Sequence, residues 1–142
     1  MSSYLHFYLM PQKATDKDKP LLFTSYNRSS PVYQRYWEEI HPVYSENEVK
    51  YTELTSSMAK DVANAARKEL ERAKDAHNNA VEAFQRLTNI TNQQVNEYIG
   101  NYKDSKEFIQ ELEEEVVELE TISQWVSEIE FSDFQKVLIN IG

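Results

Sequence analysis

The second part of this sequence carries an apolar repeat of helical period that is interrupted at only one place. From Leu54 to Leu87, residues spaced by three and four positions form one apolar face. From Val95 to Val126, a heptad repeat places mostly apolar and aromatic residues at the two seam positions of a coiled coil. All four prolines lie in the first 42 residues and only two glycines are present, so few turns can interrupt these segments. The pattern predicts two long helices.

The interruption at 88–92 predicts the turn between these helices, because it clusters Thr and Asn residues that favour caps and turns. An alternative turn at Gly100 would let a second helix begin shortly after it. We favour 88–92 because the heptad passes through Gly100 without a phase shift. Charge supports the same choice, since residues 107–133 contain ten acids and no base, whereas residues 60–74 contain five bases and three acids. A turn at 88–92 brings these two segments side by side in an antiparallel hairpin.

The first 50 residues predict a small β-hairpin followed by a short helix. Residues 3–10 are aromatic and apolar with the alternation of a strand, residues 21–26 are predicted to form a second strand, and a polar loop joins them. Ser30 can cap a helix, and Pro31 fits its first position. The predicted apolar stripe of this helix comprises Val32, Tyr36, Trp37 and Ile40.

The last residues, 134–142, fit two patterns. Val137, Ile139 and Ile141 alternate as in a strand, while Phe134, Val137, Leu138 and Ile141 would also stripe a helix. Their β-branched content favours a third strand, which would also support a hairpin that is marginal by itself. The sequence therefore predicts an α+β, mostly helical fold. Its predicted segments are a head at 1–50, an antiparallel helical hairpin at 51–130 with its turn near 88–92, and a returning strand at 131–142.

Composition argues against several kinds of chemistry. The absence of cysteine excludes disulfides and thiolate ligands, and two glycines can hardly build a phosphate loop. His6, His41 and His77 lie too far apart to form a metal motif on one helix, so structural roles are expected for His6 and His77. The glutamate-rich segment lacks the Glu-x-x-His pattern of di-iron bundles. We therefore expect no enzyme, no cofactor and no metal.

Charge and hydropathy restrict the partners. A net charge of −9 disfavours direct binding to nucleic acid. No apolar run approaches the roughly 20 residues that span a bilayer, and Met1–Met10 lacks the basic start of a signal peptide. A cytoplasmic protein that binds other proteins is the expectation.

Aromatic residues are more numerous in the head than a small sheet and one helix can bury. Phe7, Phe23 and Trp37 are predicted to form its core, leaving tyrosines for an interface. On the hairpin, Phe108 is predicted to face another chain, whereas Trp125 is placed to cover the head. The partner-binding candidates are Phe108, Tyr33, Tyr36, Glu111, Glu114, Glu115 and Glu118.

Two functions fit these features. The first is a non-enzymatic interaction or assembly protein, possible as a homodimer, that uses coiled-coil-like and aromatic surfaces. The alternative is an acidic inhibitor that blocks the nucleic-acid-binding groove of a host defence protein.

Four short strings carry a resemblance: YLHFYLMP at 4–11, KPLLFTSY at 19–26, KYTELT at 50–55 and FQKVLINI at 134–141. They resemble small uncharacterised proteins encoded by bacteriophages. The resemblance implies no activity and no site residues. It implies only a phage product that acts in the bacterial cytoplasm or belongs to the virion.

Overall fold

The computed structural model describes residues 3–41 and 50–142, so most of the predicted connector at 42–50 lies outside the described residues. The elements are β1 (Tyr4–Pro11), β2 (Leu21–Asn27), α1 (Pro31–Glu39), β3 (Thr52–Leu54), α2 (Ser56–Gln85), α3 (Asn92–Phe131) and β4 (Gln135–Ile141). More than half of the chain is helical. The predicted α+β class is confirmed, with its N-terminal hairpin, C-terminal strand, short helix and pair of long helices.

The chain divides into two compact units. The sheet unit comprises Met1–Asn64 and Glu118–Gly142, and the helix-pair unit comprises Ala65–Val117. Helices α2 and α3 each contribute residues to both units.

The sheet unit is built on four antiparallel strands in the order β2-β1-β4-β3. The C-terminal segment, which fitted either a strand or a helix, forms the interior strand β4. In its register Ile139 lies opposite Phe7 of β1 on one side and Thr52 of β3 on the other. The side chains of Leu5, Phe7, Val137, Ile139 and Ile141 are buried. Alternation along β1 and β4 places these residues on one face of the sheet.

Residues 52–54 form a strand, although the helical pattern predicted that the first long helix would begin at Tyr51. They pair with β4, and Leu54 is buried there. Helix α2 begins at Ser56 because Thr55 caps it: the Thr55 hydroxyl accepts a hydrogen bond from the Met58 amide at 3.2 Å. Leu54 matches the helical period by spacing, but its backbone belongs to the sheet.

Helix α1 begins as predicted, with the Ser30 hydroxyl accepting a hydrogen bond from the Val32 amide at 3.2 Å. Its buried face differs from the predicted stripe. Tyr33 and Tyr36 are buried together with Val32, whereas Trp37 is 40% exposed. Tyr36 packs edge-on against the Phe7 ring, with 5.5 Å between ring centroids. The helix is thus rotated by about one residue, and the prediction of Trp37 as core is wrong.

In the helix-pair unit, α2 and α3 pack in opposite directions, and residues 86–91 connect them. Two contacts fix the register: His77 Nδ1 lies 2.9 Å from Ser105 Oγ, and the Phe84 and Tyr98 rings stack with centroids 3.8 Å apart. The predicted turn at 88–92 falls on this connection, and the alternative at Gly100 is wrong, because Gly100 lies within α3.

Thr91 and Gln94 start α3 with a reciprocal capping box. The Gln94 amide donates to the Thr91 hydroxyl at 3.2 Å, and the Thr91 amide donates to the Gln94 side chain at 2.9 Å. This pair satisfies backbone donors that the new helix would otherwise leave unpaired.

Candidate functional site: exposed aromatic and acidic surfaces

The most exposed large apolar side chains among the described residues lie where α3 turns into β4. Phe131 is 83% exposed and Phe134 is 80% exposed. The turn between them is ordered by hydrogen bonds: Ser132 Oγ donates to the Ile129 carbonyl at 2.6 Å, and the Gln12 amide donates to the Phe134 carbonyl at 2.9 Å. We call this pair the Phe131/Phe134 corner. Its exposure belongs to a defined turn and not to a frayed end.

Sequence reasoning did not single out this corner. Phe134 fitted the apolar stripe of a helix in the C-terminal segment, which gave it a place in the core. Phe131 lies outside the heptad seam. A usable signal was present, however, because Ser132 and Asp133 separate two phenylalanines at the end of a long helix. Asp133 adopts a positive φ of 58°, which aspartate tolerates better than most residues.

Phe108 is the hairpin residue predicted to face another chain, and it is 48% exposed on α3. On the same helix Ile99 is 59% exposed. Single exposed apolar residues are normal on protein surfaces, so exposure alone does not identify a partner. Contact between Phe108 and another chain stays a prediction.

Tyr33 and Tyr36 were partner-binding candidates, and the structure places both side chains in the core. Tyr33 is 7% exposed and Tyr36 is fully buried. Burial raises the pKa of the Tyr36 hydroxyl well above its usual range, with the nearby Tyr26 hydroxyl as a second cause. Neither residue can therefore present its ring to a partner without disturbing the sheet unit. This part of the candidate set is corrected.

The acidic candidates fall into two groups. Glu111 and Glu114 are exposed on α3. Glu118 is already engaged, because its carboxylate accepts a hydrogen bond from the Tyr26 hydroxyl. Burial and then the charge of Glu118 raise the pKa of Tyr26. Glu115 is half-buried and also interacts within the chain.

An ion pair between Lys74 and Glu113 joins the two long helices, as the charge distribution predicts. Lys74 Nζ lies 3.4 Å from Glu113 Oε1, and about half of each side chain is exposed. An exposed pair of this kind contributes little stability, about 0–1 kcal/mol. It therefore favours one register of the helices more than it strengthens them.

A surface cavity of about 210 Å³ lies between β2 and the part of α3 that belongs to the sheet unit. Its walls include Phe7, Phe23, Tyr26, Thr121, Ile122 and Trp125. We call it the aromatic cavity. Phe23, predicted as core, is instead 38% exposed at its mouth. The Trp125 ring packs on Phe23 with 4.6 Å between centroids, so Trp125 contacts the head as expected.

The two histidines that were expected to be structural both have local partners. His6 Nδ1 lies 2.6 Å from Ser25 Oγ, its neighbour across the β1–β2 ladder. His77 is 9% exposed, and its ring lies 4.7 Å from that of Tyr102. Strand register explains the first pair and helix packing explains the second.

In comparisons with known proteins, no protein-family model, curated protein or solved structure matches the chain. Within residues 3–41 and 50–142, no three His, Asp or Glu side chains are close enough together to hold a metal ion. Within the same ranges, no helix is long and apolar enough to cross a bilayer.

Proposed function

We propose that this chain is a non-enzymatic protein-interaction or assembly protein. The observation that carries the proposal is the Phe131/Phe134 corner, where two phenylalanines are at least four-fifths exposed in an ordered turn. Fully burying one such side chain is worth roughly 1.5–3 kcal/mol. A partner that covers both rings would gain this energy without having to order the turn first.

Phe108 supplies a second contact surface in the helix-pair unit. It lies on a helix whose seam residues Leu112 and Val116 are buried, while Phe108 itself stays half exposed. A second copy or a foreign helix could cover it in the manner of a coiled coil. If the chain is a phage product, as its resemblance to small phage-encoded proteins implies, the partner would be a virion component or a protein of the bacterial cytoplasm.

The proposal is tested with the double variant Phe131→Ser/Phe134→Ser and the single variant Phe108→Ser. Light scattering measures whether the pure protein has a mass above the 16.7 kDa of one chain. Quantitative affinity capture from bacterial lysate measures binding to foreign partners. We expect the double variant to reduce self-association or capture of a specific partner, with an unchanged melting curve.

Phe108→Ser separates the two surfaces, because it makes the same chemical change in the other unit. A loss only in the double variant assigns the contact to the corner, and a loss only in Phe108→Ser assigns it to α3. A strictly monomeric protein with the same capture profile for all three forms would refute the proposed function.

The alternative function, an acidic inhibitor of a host nucleic-acid-binding protein, draws support from the charge of α3. Residues 107–133 hold ten acids and no base, and Glu111 and Glu114 are exposed. The assay is competition with labelled duplex DNA for purified basic DNA-binding proteins of the host. Displacement that weakens in Glu111→Gln/Glu114→Gln would favour inhibition over assembly.

A further inference from the structure

The aromatic cavity has a largely apolar interior, and the carboxylate of Glu118 lies beside one of its lining residues, Tyr26. Tyr26 lines the cavity, and its hydroxyl donates a hydrogen bond to Glu118. Glu118, Ile122 and Trp125 follow each other at i, i+4 and i+7, so they share one face of α3. None of the described residues that line the cavity is basic. The site therefore offers an aromatic surface with the negative charge of Glu118 beside it.

The interior matches a ring in both size and chemistry. A dry apolar cavity of about 150 Å³ in another protein holds benzene, so about 210 Å³ has room for a phenyl group. Phe7 and Phe23 lie at an angle of 57° to each other, with 6.0 Å between centroids. Trp125 lies at 55° to Phe23. Tilted rings of this kind offer both faces and edges to an inserted aromatic group.

We propose that the aromatic cavity binds one aromatic side chain of a protein partner, flanked in that partner by lysine or arginine. The aromatic ring enters the cavity against the packed rings of Phe23 and Trp125, and the adjacent cation lies near Glu118. This inference rests on the proposed protein-binding function and specifies the chemistry of the partner.

The preference for a positively charged partner residue does not rest on Glu118 alone. The helix that forms one wall carries no base between residues 107 and 133. A cation at the cavity edge would thus meet attraction from this helix, while an anion would meet repulsion. The aromatic rings of Trp125 and Phe23 can also attract this cation through their faces.

Three blocked tripeptides test this assignment: Lys-Phe-Lys, Glu-Phe-Glu and Lys-Ser-Lys. Binding is followed by Trp125 fluorescence in a Trp37→Phe background, because the chain has only two tryptophans. We expect Lys-Phe-Lys to bind about fivefold more tightly than Glu-Phe-Glu, which is the size of a favourable exposed ion pair. Lys-Ser-Lys should bind more weakly than Lys-Phe-Lys, because it has no ring to insert.

Matched variants locate the binding. Glu118→Gln keeps an acceptor for Tyr26 and removes the charge, so the preference for Lys-Phe-Lys over Glu-Phe-Glu should shrink below about twofold. Glu114→Gln makes the same change on the same helix without touching a lining residue, and it should leave the preference intact. Ile122→Phe fills the cavity and should abolish binding, while Ile99→Phe adds the same volume on the exposed surface of α3 and should not.

The outcomes separate this inference from the function on which it rests. Equal binding of Lys-Phe-Lys and Lys-Ser-Lys, or full binding to a folded Ile122→Phe variant, overturns the cavity assignment. If the cavity variants bind normally while Phe131→Ser/Phe134→Ser loses its partner, the interaction function stands and the cavity proposal fails. Thermal melting of every variant identifies any that fails to fold. For those, Glu118→Gln, which preserves side-chain size, still decides the question.

Discussion

Ile139 should be one of the most sensitive positions in the chain, because it lies in β4, an interior strand of the sheet, and is fully buried. Its neighbours across the ladders are Phe7 on one side and Thr52 on the other. Replacing Ile139 by alanine removes three carbon atoms from a site that is enclosed on both sides. Substitutions of this kind cost about 2–5 kcal/mol, of which part is the cavity left behind.

We expect Ile139→Ala to lower the free energy of unfolding by about 3 kcal/mol, near the middle of that range. Typical domains have only about 5–15 kcal/mol in total, so the sheet unit should become visibly marginal. The measurement is urea denaturation followed by tryptophan fluorescence, since Trp37 and Trp125 both belong to the sheet unit.

Ile99→Ala is the matched control, with the same side-chain change at a position that is 59% exposed in a helix. Alanine is the better helix former, so this variant should stay within about 0.5 kcal/mol of the parent or become slightly more stable. If the two variants differ by less than about 1 kcal/mol, Ile139 does not carry the packing that its burial implies.

Two further predictions concern the start of α2 and the register of the helix pair. The Ser56 amide donates to Glu130 Oε2 at 2.6 Å, and hydrogen bonds from Ser56 lower the pKa of Glu130 in the folded chain. Stability from this contact is present at neutral pH and is lost as the pH falls through the folded-state pKa. Because Glu130 is exposed and solvent screens the contact, Glu130→Gln should cost no more than about 0.5–1 kcal/mol at pH 7, and less at pH 3, by urea denaturation. An equal cost at both pH values would contradict the linkage. Cysteines at Leu70 and Leu112 should crosslink within one chain, whereas cysteines at Ala80 and Leu112 should not; the reverse on non-reducing gels would reject the register.

The features that sequence predicted well are those written into long, regular patterns. The repeat from Leu54 to Val126 extends over many turns, so errors at single positions average out. The alternation of Val137, Ile139 and Ile141 identified β4 because β-branched residues pack well on a pleated strand. Strand β3 was missed because three residues are too short to show a period of two, and Leu54 fits both periods.

The face of α1 and the exposed sites depended on tertiary contacts that local patterns do not contain. Helix α1 can bury Tyr36 together with either Tyr33 or Trp37, depending on how it is rotated about its axis. The position of Phe7 decides between them, because its ring meets Tyr36 edge-on. Similarly, the residues next to Phe131 and Phe134 in the sequence do not predict that these two rings are exposed. Their exposure depends on the direction that the turn gives to each ring.

The separation of the paired strands along the chain has a kinetic consequence. The helix-pair unit Ala65–Val117 is one continuous segment, whereas the sheet pairs positions as distant as Leu5 and Ile141, which are 136 residues apart. Pairing β1 with β4 closes a long loop, and this closure costs entropy before any strand contact offsets it. Such non-local pairings therefore form slowly. We expect helical signal to develop first in refolding, and burial of the tryptophans in the sheet unit to follow in a slower phase. Until β4 docks, β1 presents one unpaired edge and the apolar face of the sheet to water, and in this interval the chain is most prone to aggregate.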